Sequence, residues 1–155
     1  MSEIRSSWRR MAGAVIVSVL LSGLFIAPIG CSRNGPPVEV VLPNGFTGAV
    51  YVILDKTRGS DIPFRDGKYI VEIPLDGRLR VNSLVPFDTW HEETWRYASG
   101  EILVDEKLVH NPDPQKVMKR MQNAGIGNGV AHIEVFVGTD QQLKDFIRGP
   151  RPSLD

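Results

Sequence analysis

The chain has 155 residues, with 18 lysines and arginines balanced by 18 aspartates and glutamates. Three of those basic residues and one of the acids fall within residues 1–30, which leaves 15 against 17 beyond it and no basic stripe of the kind nucleic acid requires. The single cysteine, Cys31, excludes an intrachain disulfide, so the fold is held by packing alone.

Residues 1–10 carry Arg5, Arg9 and Arg10 against Glu3, and no charge follows from Met11 to Ser32. A basic start leading into an apolar run is the pattern of a secretory signal, with the positive end retained in the cytoplasm. Pro28-Ile29-Gly30-Cys31 resembles a bacterial lipoprotein cleavage box, although Pro28 stands where Leu is usual. The favoured reading is cleavage before Cys31 and acylation of that cysteine. A second is an uncut anchor, since about 20 helical residues at roughly 1.5 Å each span a hydrocarbon core of about 30 Å. Ordinary secretory cleavage lacks a small-x-small site, and twin-arginine export rests on Arg9-Arg10 alone. Residues 1–30 are therefore expected to form a signal or hydrophobic helical anchor. Residues 31–37 form a tether, 38–147 the domain and 148–155 a tail.

Val38–Leu42 reads as the first strand and Pro43-Asn44-Gly45 as a turn. Gly48–Lys56 is apolar nearly throughout, as in a strand covered on both faces. Pro63 confines Ile62–Phe64 to an edge or a strand start. Asp66-Gly67 is a hairpin signal before Lys68–Ile73, which alternates with Tyr69, Val71 and Ile73 on one face. Pro74–Gly77 turns the chain into Arg78–Asn82. Further strands are predicted at Trp90–Tyr97 and Glu101–Val104. Asp113-Pro114 predicts a helix to Ala124, with Val117, Met118, Met121 and Ala124 as its apolar stripe, followed by a Gly125–Gly129 connector. Val130–Val137 is a last strand with Ala131, Ile133, Val135 and Val137 inward. Thr139 and Gln142 form a capping box for a second short helix docked by Leu143, Phe146 and Ile147. The turn-punctuated rhythm predicts a mainly β protein, an antiparallel β-sandwich with two short helices.

The run from Asp66 through Ile73-Pro74-Leu75-Asp76-Gly77 to Val81 resembles the hairpin of transthyretin-like and carboxypeptidase-regulatory-like β-sandwiches. With Leu42–Gly48 and Phe136–Thr139 it is similar to a family of uncharacterised exported bacterial domains. The resemblance covers roughly residues 38–147 and implies a transthyretin- or Ig-like fold. It implies no activity, because the matched residues are turns and core.

Trp90, Trp95 and Tyr97 are candidate ligand-stacking residues, since aromatic rings offer flat apolar faces with a polar tip. In an alternating strand Trp90 faces away from the other two, so core packing is favoured for at least one. His91, Glu92, Glu93, His110, His132 and Glu134 are zinc-ligand types without ligand spacing. Ser60, Ser83 and Ser99 lack a nucleophile-elbow setting, and Gly125–Gly129 has helix and strand in the wrong order for a phosphate loop. The reading is a membrane-anchored envelope protein, a non-enzymatic binding or assembly module. Its partners are the membrane, through lipid or a hydrophobic helix, and an envelope protein; no cofactor is expected. A small-ligand or metal-binding domain is the alternative, and a hydrolase is less favoured.

Overall fold

Alternating buried and half-buried residues make Val38–Leu42 the first strand, β1, of the computed structural model, which describes residues 34–127 and 129–154. Cys31 and the expected leader helix lie outside the described residues. Among the described residues, no helix is long and apolar enough to cross a membrane. The other strands are β2 (Gly48–Leu54), β3 (Phe64–Arg65), β4 (Lys68–Glu72), β5 (Arg78–Val81), β6 (Glu93–Tyr97), β7 (Met118–Gly127) and β8 (Val130–Gly138). One α-helix follows, α1 (Asp140–Arg148).

The strands form two four-stranded sheets, ordered β3-β4-β1-β6 and β5-β2-β8-β7. Val38, Val40, Leu42, Val71, Trp95 and Tyr97 from the first meet Val50, Val52, Val81, Ile133, Val135 and Val137 from the second in one core. Burying each such side chain contributes roughly 1.5–3 kcal/mol. The outer face of the first sheet is polar: Glu39 on β1 accepts from Lys68 on β4 and, at 2.8 Å, from Arg96 on β6.

The sheets are mixed, which corrects the antiparallel expectation. β1 pairs in parallel with both β4 and β6, and β2 in parallel with β5. The reason is topological. The chain crosses between the sheets from β1 to β2, β2 to β3, β4 to β5, β5 to β6 and β6 to β7, so most strands pair with partners that are not their neighbours in sequence. Only β3–β4 and β7–β8 join sequence neighbours as antiparallel hairpins. The first has the expected two-residue turn, with positive φ at both Asp66 (51°) and Gly67 (77°). Pro74–Gly77 does turn the chain, through a Gly77 N–H to Pro74 carbonyl bond of 2.9 Å, but it carries it across the sandwich. The supposed hairpin of strands 68–73 and 78–82 is thus split between two sheets.

The helix expected over 113–124 is absent. Asp113 behaves locally as predicted, its carboxylate accepting from Gln115 N at 2.9 Å. The turn goes no further, because Met118–Gly127 forms a long antiparallel ladder with β8. That pairing, with Met118 sealed in the core, overrides a helical apolar stripe. A register shift between Lys119 and Met121 makes Arg120 the extra residue of a bulge. Gly125 to Gly127 belong to β7, not to a connector. Glu101–Val104 is no strand; a single bridge joins Ile102 to Arg96. Besides α1, the described residues contain only two 3-10 turns, Val85–Phe87 and Glu106–Leu108.

The capping box of α1 is formed as expected by Thr139 and Gln142. Phe146 docks the helix on Tyr51, Ile53 and Leu154, while Ile147 stays exposed. The C-terminal tail is part of the fold: Leu154 is buried, and Arg151 donates to Glu134 at 2.6 Å.

Candidate functional site

Period-2 alternation along β6 sends Trp95 and Tyr97 into the sandwich and leaves Glu93 at its margin. Trp90 lies before the strand, in an irregular segment, and is 72% exposed. The three aromatic candidates therefore separate. Tyr97 is core, its hydroxyl donating to the Phe46 carbonyl at 3.0 Å. Trp90 and Trp95 line one groove of about 800 Å³, which runs along β6 beside residues 102–108 and the start of β7.

The groove floor is a packed polar cluster. Glu93 Oε2 accepts from Lys119 Nζ at 2.7 Å and from the Trp95 indole N–H at 3.0 Å. Its Oε1 faces His91 Nε2 at 3.2 Å and Gln122 Nε2 at 3.4 Å. Lys119 also reaches Asp105 at 3.2 Å and lies 5.4 Å from the centre of the Trp95 ring. The bulge lets Lys119 and Gln122, three residues apart, both reach Glu93, while Arg120 turns to the loop before β7. Sequence reading missed Lys119, since nothing local connects it to Glu93, twenty-six residues before it.

Burial alone would raise the pKa of Glu93. The hydrogen bond and charge of Lys119, with the bonds from Trp95 and His91, outweigh burial, and the carboxyl sits below its ordinary 4.5. A carboxylate whose pKa is lowered on folding adds stability that is present above the unfolded value and lost as pH falls through the folded one. The denaturant midpoint of the wild type should therefore fall on acidification below 4.5. Glu93→Gln should start lower at neutral pH, with its deficit shrinking over that acid range. A constant deficit down to acid unfolding would reject the assignment.

The rim is apolar. Ile102 is 65% and Leu108 83% exposed, and both line the groove with Trp90. Of the proposed zinc-ligand types, His91 and Glu93 come together. His132 and Glu134 lie on β8, where Glu134 is engaged by Arg151. Among the described residues, no group of three or more His, Cys, Asp or Glu is arranged to hold a metal. Ser60 lines a smaller cleft of about 250 Å³ with Asp61, Arg65 and Glu72, and no histidine lines it.

No family model matches the chain, and no curated protein matches it. Among solved structures, the chain is similar to a crystal structure of a "Putative Lipoprotein from Bacillus anthracis". The identity is 10% over 76% of this chain and 82% of that chain, and the TM-score is 0.43.

Proposed function

We propose that this chain is an exported binding module of the bacterial envelope, fastened to the membrane through lipid on Cys31 and working through the groove beside Trp90. Its anchor is supported by the basic start, the uncharged run and Gly30-Cys31. The observation that carries the binding role is the rim of the groove. Trp90, Ile102 and Leu108 stand exposed together along one depression, and exposed apolar clusters of this kind mark interaction sites. Leaving them in water forgoes roughly 25 cal/mol for each Å² that a partner would cover.

A binding role is favoured over catalysis by the state of Glu93. A general base works best with a pKa near the operating pH. Glu93 is held well below that and is already engaged by four nitrogen groups.

Cell fractionation with intact-mass measurement tests the anchor. The wild-type chain should be found in the membrane fraction, beginning at Cys31 and carrying added acyl mass. Cys31→Ser should lack that mass. A full-length, unacylated wild-type chain in the soluble fraction would overturn the reading.

A further inference from the structure

We infer that the groove rim is seated on the lipid surface itself, with Trp90, Ile102 and Leu108 entering the interfacial zone of the leaflet to which the chain is anchored. This rests on the anchoring proposed above, and it names the partner of the same groove.

The chain enters the domain beside Trp90. Gly35 N–H donates to the Trp90 carbonyl at 2.7 Å, and Val38 N–H to the Glu92 carbonyl at 2.8 Å. A side chain at Gly35 would fall 2.2 Å from the Thr89 hydroxyl, so the two segments are in close contact there. Cys31 precedes Gly35 by four residues. A fully extended chain covers at most about 3.6 Å per residue, so an acylated Cys31 holds Gly35 within roughly 14 Å of itself. The headgroup zone of one leaflet is itself about 5–8 Å deep. The Trp90 end of the domain is therefore tied close to the bilayer by covalent reach alone.

The chemistry of that end fits. Tryptophan concentrates at membrane interfaces, where its apolar body and its N–H are both satisfied. Lys107, exposed next to Leu108, can lay its stem on apolar surface with its ammonium among lipid phosphates. The charges on the floor are spent on one another, Lys119 on Glu93 and Asp105, so the groove offers an apolar rim over a neutralised base. The sheet also supplies its own control. β1, β4 and β6 run parallel, so Leu75, 85% exposed beyond the end of β4, lies at the opposite end of that sheet from Trp90.

The test uses the acylated chain that begins at Cys31, whose two indoles are Trp90 and the buried Trp95. It is reconstituted in phosphatidylglycerol–phosphatidylcholine vesicles whose acyl chains are brominated near the headgroups. One of two indoles should be quenched, a loss of roughly half the emission relative to unbrominated vesicles. The quenching should vanish in Trp90→Phe, weaken in Leu108→Ser and persist in Leu75→Ser. Near-ultraviolet circular dichroism confirms that each variant is folded. A chain that floats with the vesicles but is not quenched keeps its anchor and overturns the docking, turning the rim toward solvent or a protein. A chain that does not float overturns the anchor and the docking with it.

Discussion

Arg120→Ala is expected to lower the stability of the domain by about 4 kcal/mol, in line with removing one partner of a buried charged network. The guanidinium is buried, and four of its five N–H groups are employed. It donates to the carbonyls of Gly138 at 2.7 Å, Lys116 at 2.9 Å and Asp113 at 3.1 Å, and to Glu106 at 3.2 Å. Those partners belong to the end of β8, to the turn that replaces the expected helix, and to the second 3-10 turn. Truncation takes a charged donor from three backbone carbonyls, and that of Asp113 keeps the Lys116 N–H at 3.2 Å. Each such loss costs the desolvation of the group as well as the bond. Arg120→Lys should recover little, because an ammonium cannot match a planar fork that serves four acceptors. Glu106→Gln should cost under about 1 kcal/mol, since that carboxylate is partly solvated. Urea titration at neutral pH decides it. An alanine variant within about 1 kcal/mol of wild type would show that the loop is held by something else.

Gly77→Ala should be nearly as costly, roughly 3 kcal/mol, from backbone strain and overpacking together. Gly77 ends the arch from β4 to β5 with φ +73°, a conformation that side chains resist. An added Cβ would also fall 2.4 Å from the Ala49 carbonyl oxygen and 2.9 Å from the Phe46 ring. The first of these is backbone and cannot move aside cheaply, because Tyr51 N–H donates to the Gly77 carbonyl at 2.7 Å in the same stretch. Gly45 provides the comparison. It has a similar φ of +70° but nothing within 4 Å of a new Cβ. Gly45→Ala should thus show the strain alone, about 1 kcal/mol. Equal midpoints for the two variants would eliminate the steric part of the argument.

What the sequence revealed was local. Val38–Leu42, the Asp66-Gly67 hairpin and the Thr139–Gln142 capping box each carry their instruction within a few residues, and each is present in the structure. What it concealed was which strand meets which. Pro74–Gly77 specifies a reversal of the chain, but a reversal within a sheet and one across a sandwich use the same turn residues. The segment from Asp113 to Ala124 specifies a helix start and a helical stripe, yet a ladder with β8 lies outside any local window. The groove was half legible. Trp90 and Trp95 were candidates, but alternation set them on opposite faces, whereas Trp90 precedes the strand and shares the groove with Trp95. Lys119 was invisible because it reaches Glu93 only through a bulge in a strand read as helix.

The parallel neighbours of β1 bear on how fast this domain acquires its shape. β1 sits at the centre of its sheet, yet Val38 must find Tyr69 on one side and Glu93 on the other. Long segments of chain have to be closed before either pairing is rewarded, and their entropy is lost first. Topologies dominated by such distant pairings fold on the order of milliseconds to seconds, not microseconds. Newly made chain therefore spends longer unfolded than a domain built from local contacts would.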